Sequence, residues 1–226
     1  MDIKTRKTLT QGGNFHRNSS VDRLYSPRKE GGRGLSCIAD IFISRIVSIA
    51  EHLRELSGKH KFLTEVRRHE TQRIMKMVEE FCKTTNVQTV EQPNPKKTAA
   101  EVRDSLRDGH VKEWTEKPQH GYLARKQQCQ QAYNKQATNA WLNDGFMSSH
   151  VEGYICAIQE QEIRTRQVVQ QRENPESNTK CRYCKTMDES IFHILNSCSQ
   201  LSTSMYLPVR HNEVAKVMYH ELAEKN

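Results

Sequence analysis

The chain has few apolar residues. They fill 35% of its 226 positions, and aromatic residues only 7%. A core drawn from so small a stock is thin for the length, which points to a helical chain with long solvated faces or to a piece of something larger. No apolar run approaches the length of a membrane span, and no hydrophobic stretch of a secretory signal follows Met1. Signatures of catalysis are also missing. There is no G-x-S-x-G elbow, no H-E-x-x-H pair and no Walker loop, and Gly31–Gly34 lacks both the spacing and the preceding strand of a phosphate loop. Paired acids such as Glu79–Glu80 and Glu160/Glu162 fall in helical segments and read as surface charge. No residue is expected to be catalytic.

Against these absences stands an excess of positive charge. Thirty-five Lys and Arg face 27 Asp and Glu, a net charge of +8, which favours a polyanionic partner. Seven cysteines without a secretory signal argue for a reducing, intracellular compartment and for metal-bound thiols in place of disulfides.

Three of those cysteines lie in one window. Cys181, Cys184, His193 and Cys198 read C-x2-C-x8-H-x4-C. A C-x2-C bend presents two thiolates together, and the span to His193 lets the chain fold back. Three thiolates and an imidazole form a closed tetrahedral set for zinc, with no position left for a catalytic water. Ile191, Phe192, Ile194 and Leu195 are expected to begin a helix carrying His193, with Asp188 and Glu189 at its N-terminus. Structural zinc in finger peptides contributes ~10–16 kcal/mol near neutral pH, enough to fold a segment this small.

Elsewhere the periodicity is helical. Residues 1–35 form a basic and mostly irregular arm, in which Arg28, Lys29 and Arg33 are candidate phosphate contacts. Ile38, Phe42, Ile46, Ile49, Leu53 and Leu56 mark one face of a helix ending at Ser57–Gly58. A second helix is expected from Phe62 to Cys82, closing a helical segment over 36–92. Thr84–Lys97, with Pro93 and Pro95, reads as a linker, and Thr98–Glu101 as a capping box. Lys117–Pro118 stops that helix, and another is expected over Tyr122–Leu142, stacking Cys129, Tyr133, Ala137 and Trp141 up to Asn143–Asp144–Gly145. A second capping box, Ser149–Glu152, opens a helix whose apolar side runs from Val151 to Val169. The 93–172 region is thus helical throughout, and 173–226 holds the metal knuckle and a last helix over His211–Ala223. The fold class is mainly α.

In their order along the chain, several motifs resemble the C-terminal part of a non-LTR retrotransposon reverse transcriptase of the kind carrying a restriction-enzyme-like endonuclease. They are Met1–Lys7, Arg23–Arg28 and Gly31–Leu35; then Trp114, Lys117 and His120–Gly121; then Trp141–Leu142, Gly145, Glu152–Gly153 and Ala157–Gln161 with Arg164–Thr165. The series ends with Cys181–Cys184, Glu189, His193, Cys198, Tyr206 and Arg210–Glu213. The resemblance implies thumb, linker and CCHC zinc-knuckle segments that grip template RNA and target DNA in target-primed reverse transcription, in the nucleus and beside the remainder of a polyprotein. It also implies that the polymerase aspartates lie before Met1 and the endonuclease carboxylates after Asn226, so this segment alone is expected neither to polymerise nor to cut DNA. Lys180, Arg182 and Lys185 flank the knuckle and join Arg28, Lys29 and Arg33 as expected nucleic-acid contacts. The other expectation is a domesticated copy whose zinc knuckle docks a protein.

Overall fold

A computed structural model describes residues 2–56, 58–85, 95–129, 134–143 and 146–223. These are mainly helical, and the one strand-like pairing among them is an isolated bridge between Lys180 and Asp188. In chain order the helices are α1 (Asp2–Gln11), α2 (Val21–Tyr25), α3 (Ile38–Leu56), α4 (Lys61–Thr85), α5 (Pro95–Glu116), α6 (Tyr122–Cys129), α7 (Lys135–Asn143), α8 (Ser149–Gln159), α9 (Arg166–Arg172), α10 (Ser199–Leu201) and α11 (Asn212–Ala223). A 3-10 turn covers Arg28–Glu30, and π-helical stretches cover His193–Ser197 and Ser202–His211. No described helix is long and apolar enough to cross a membrane. The chain divides into two compact units, Met1–Cys156 and Ala157–Asn226.

The core of the first unit is built by α3, α4 and α5. Val47, Ala50, Val78 and Val102 are buried together, with Ile43, Ile46, Ile74, Phe81 and Leu106 packed around them. The 3.6-residue period of α3 dictates this seam: Ile43, Val47 and Ala50 recur at helical steps on one side, while Ile38, Phe42 and Ile49 stay exposed. Helix α5 begins at Pro95, a residue suited to the first helical position. It therefore starts three residues before the expected cap at Thr98, whose side chain lies outside the described residues, as do residues 86–94 of the expected linker.

The N-terminal stretch is folded, which corrects the expectation of an irregular arm. Phe15, Leu24 and Tyr25 form a second buried cluster with Leu9, Val21, Leu35 and Cys37. The chain after α2 doubles back on itself: the amides of Arg33 and Leu35 donate to the carbonyls of Arg23 and Leu24, each at 3.0 Å. Only glycine fits at 32, because a Cβ there would stand 2.1 Å from the Ser26 carbonyl oxygen. Arg23 is itself buried, with its guanidinium 5.0 Å from the Trp114 ring centroid and hydrogen bonds to the carbonyls of Gly31 and Cys156.

Trp114, Lys117 and His120–Gly121 make the α5–α6 turn. Trp114 Nε1 donates to the His120 carbonyl at 3.1 Å, and Lys117 Nζ reaches Ser20 and Asp22. A Cβ on Gly121 would lie 2.4–2.8 Å from three carbonyl oxygens. The Arg125 guanidinium donates to two of these, on Thr115 and Lys117, and to the Pro118 carbonyl.

Two expected helices are shorter than their apolar periodicity suggested. The one over Tyr122–Leu142 is two, α6 and α7, and Asn134 caps the second through its side chain and carbonyl. Tyr133, Asp144 and Gly145 lie outside the described residues. The long helix from Ser149 ends at Gln159. Gln161 takes a left-handed conformation (φ 61°), and Thr165 caps α9 by accepting from the Val168 amide. Glu160 and Glu162 between them are buried, not surface charge, and Glu162 holds Arg172 in a two-pronged pair. The cap of α8 is Ser148, whose hydroxyl accepts from Val151. Glu152 does not complete a capping box because its carboxylate is taken by Arg28 and Arg33.

Candidate metal centre

The second unit is organised around the Cys181–Cys198 stretch. Between Lys180 and Asp188 the chain makes a tight hairpin: the Cys181 amide donates to the Met187 carbonyl at 2.8 Å, and the Lys185 amide to the Cys181 carbonyl at 2.9 Å. Lys185 adopts φ 64°, a left-handed turn that lets the backbone wrap around the two thiols. The Tyr183 amide points at Cys181 Sγ (3.4 Å), and the Thr186 hydroxyl at Cys184 Sγ (3.3 Å).

The other two groups come from the π-helical turn that follows. Ser190 Oγ accepts from the His193 amide at 3.0 Å, which starts that turn. Ser190 thus takes the role expected of Asp188 and Glu189, whose carboxylates are occupied elsewhere: Asp188 pairs with Thr179 and Lys180, and Glu189 with Arg182. The turn carries His193 inward and ends at Cys198, which returns to extended backbone.

The four side chains converge. One ligand atom from each of Cys181, Cys184, His193 and Cys198 lies within 4.8 Å of all the others. Cys181 Sγ and Cys198 Sγ are 3.9 Å apart, and Cys184 Sγ is 3.3 Å from His193 Nε2. The edges of a tetrahedron with metal–ligand bonds of 2.0–2.3 Å are about 3.3–3.8 Å, so the set can hold a metal ion with little movement. Cys181 and Cys198 are fully buried, and His193 is 6% exposed. Leu201, Ile194 and Tyr206 pack against them. Ser197 Oγ sits 3.5 Å from His193 Nδ1, on the ring nitrogen facing away from the thiols.

The environment separates the thiols electrostatically. The Met187 amide, the hydroxyl and amide of Thr186, and His193 hold the Cys184 thiol down to about 5, whereas burial pushes the Cys181 thiol up. Three thiols and one imidazole could supply all four corners of a tetrahedron around a metal ion.

Glu189 is the residue that sequence reasoning valued too little. Fully buried, it accepts the Arg182 guanidinium at 2.7 and 2.9 Å, the Arg182 amide at 2.9 Å and the Arg166 amide at 3.1 Å. It therefore ties the cysteine hairpin, the start of α9 and the approach to His193 together. Tyr206 and Arg210 brace the far side: the Tyr206 hydroxyl reaches the His193 and Ile194 carbonyls, and Arg210 stacks 4.9 Å over the Tyr206 ring and bonds the Leu195 carbonyl.

The six expected nucleic-acid contacts divide. Arg28 and Arg33 turn inward on Glu152, Arg33 at 2.7 Å with its side chain 9% exposed. Arg28 also bonds the Leu142 carbonyl, and Arg33 the Asn14 carbonyl. Arg182 is committed to Glu189 but half-exposed, and Lys180 pairs with Asp188 at 3.2 Å. Lys29 and Lys185 are exposed. Of the three in the first unit, Arg28 and Arg33 thus serve the fold and Lys29 the surface, while the second unit keeps three cations around the knuckle.

No protein-family model, curated protein or solved structure matches this chain.

Proposed function

We propose that Cys181, Cys184, His193 and Cys198 bind zinc as a structural knuckle, and that the chain grips nucleic acid as a segment of a retrotransposon-type reverse transcriptase. The observation that carries this reading is the convergence of all four donors within 4.8 Å of one another, beneath a hairpin that displays Lys180, Arg182 and Lys185. Three thiolates and an imidazole suit zinc better than hard ions such as Mg²⁺ or Ca²⁺, which take oxygen ligands. The net charge of +8 supplies attraction for a polyanion, and the ordered series of motifs supplies the family reading. On this view the segment holds template RNA and target DNA in the nucleus, while polymerisation and cleavage belong to other parts of a polyprotein.

A filter-binding series tests the proposal. Affinity for structured RNA and for duplex DNA should fall steeply between 50 and 200 mM salt, as expected when phosphate contacts release counterions. Flat affinity across that range overturns it. Primer extension by the isolated chain would also overturn it.

A second reading, a protein-docking module, is favoured by α11, whose Val214, Val217, Met218 and Leu222 recur at helical spacing and are all exposed. Retention of a protein partner after nuclease treatment, with no RNA or DNA retained before it, would select that reading.

A further inference from the structure

We propose that Cys37, Asp40 and His110 form a second metal site, in the first unit, for a divalent transition ion of the zinc class. The three lie on the α3–α5 contact. Cys37 immediately precedes α3 and Asp40 is in its first turn, so the two sit one helical turn apart on the same side. His110 comes from α5, seventy residues on. One ligand atom from each of the three lies within 4.8 Å of the other two. His110 Nε2 and Asp40 Oδ2 are already 3.0 Å apart, close to a tetrahedral edge of about 3.3 Å for 2.0 Å bonds.

The surroundings have the features of a metal site rather than of a chance contact. His110 Nδ1 lies 3.5 Å from Asp22 Oδ1, and Asp22 is itself held by Lys117. An imidazole that ligates through one nitrogen and meets a carboxylate on the other is the usual arrangement at zinc, because the carboxylate fixes the ring and raises its basicity. The Tyr25 ring packs 5.3 Å from the imidazole and limits its rotation further. Asp2 Oδ2 is 3.8 Å from Cys37 Sγ and adds negative charge. Thiolate, imidazole and carboxylate together are a borderline-soft set that fits zinc or cobalt and does not fit calcium. Cys37 binds as a thiolate and His110 through a proton-free Nε2, their protons released to solvent, and Cys37 joins Asp40 in balancing the ion's two positive charges.

The ion also has a way in. Cys37 and Asp40 line a cavity of about 230 Å³ whose other walls include Arg45, Arg103 and Arg107. Three protein ligands leave the fourth position to water or to an anion drawn in by those arginines. This centre therefore differs in kind from the closed knuckle, where the protein supplies all four donors.

Cobalt titration of the zinc-free full chain, followed by optical absorption and checked by elemental analysis of zinc-loaded protein, tests the site. Two ions per chain are expected. Cys37→Ser and, independently, Asp40→Asn should reduce the count to one and leave the intense thiolate band of the knuckle in place. Cys184→Ser should leave one ion whose thiolate-to-cobalt band is about a third as strong, from one thiolate instead of three. Asp22→Asn should weaken the second ion by about 10–100-fold without removing it. Far-UV circular dichroism confirms that the Cys37→Ser, Asp40→Asn and Asp22→Asn variants are folded and that Cys184→Ser keeps the helical signal of the first unit. One ion per chain with a band unchanged in Cys37→Ser overturns the second site. A wild-type count of one ion per chain that falls to none in Cys37→Ser but stays at one in Cys184→Ser would instead overturn the knuckle, so the two assignments fail separately.

Discussion

Arg182 and Glu189 form the internal strut of the candidate metal centre. The arginine lies between the first two cysteines, and the buried carboxylate stands four residues before the histidine. Their pair joins the two halves of the ligand set without touching an ion. Burial pushes the Glu189 carboxyl up, but the Arg182 side chain and the amides of Arg182 and Arg166 outweigh it and hold the group below its ordinary value of 4.5. A carboxyl depressed on folding stabilises the folded state above its unfolded pKa and stops doing so as pH falls through the folded one. The contribution of the strut should thus be intact above about pH 4.5 and vanish on further acidification. Glu189→Gln should cost about 2 kcal/mol at neutral pH. Urea unfolding of the metal-loaded protein at neutral pH, where the ligands hold the ion, measures this.

Removing the metal should unfold the second unit selectively. A chelator is expected to abolish the helical signal of 157–226 and to expose Cys181 and Cys198 to thiol reagents, and zinc should restore both, because binding energy in so small a unit is folding energy. Hydrogen exchange resolved by segment should show the α3–α5 core still protected.

Glu152 is expected to be the costliest carboxylate to lose in the first unit. Its side chain is 10% exposed and receives both Arg28 and Arg33. Glu152→Ala leaves the nearly buried Arg33 cation without its carboxylate, a change worth about 3–5 kcal/mol when a buried pair is broken. Thermal unfolding should show the loss, and Glu152→Gln should recover part of it.

Gly32→Ala isolates backbone packing from charge. The added methyl would meet the Ser26 carbonyl at 2.1 Å, so the loop must shift. Overpacking of this kind costs about 1–3 kcal/mol, readable as a lower denaturation midpoint with unchanged net charge.

If the chain grips nucleic acid, its cations should not contribute equally. Lys29→Ala and Lys185→Ala should each lower the slope of log affinity against log salt by about 1. Arg28→Ala should act mainly through stability, since its guanidinium serves Glu152 and the Leu142 carbonyl. Competition binding at several salt concentrations separates the two effects.

The knuckle could be read from the sequence because its four donors lie within eighteen residues and their spacing is set by one hairpin and one helical turn. The extent of helix α3 was equally legible, but its buried face was not: Ile38, Phe42 and Ile49 of the expected apolar stripe are exposed, and Val47 and Ala50 are buried instead. The helix breaks were not legible. The apolar spacing from Val151 to Val169 continues unbroken, and only the left-handed Gln161 and the capping hydroxyl of Thr165 interrupt the backbone beneath it. The charges misled for another reason. Arg28, Arg33, Glu160 and Glu162 look like solvated groups in any local window, and what buries them is contributed by the tertiary fold. Cys37, Asp40 and His110 were hidden by the same distance, because no pattern of spacing relates a helix start to a residue seventy positions later.

The ion pair between Arg28 and Glu152 spans 124 residues. During synthesis at about 5–20 residues per second, Arg28 is made roughly 6–25 seconds before its acidic partner. For that interval Arg28 and Arg33 lack the carboxylate they close upon in the folded chain, and their charge is open to polyanions such as the RNA of the ribosome.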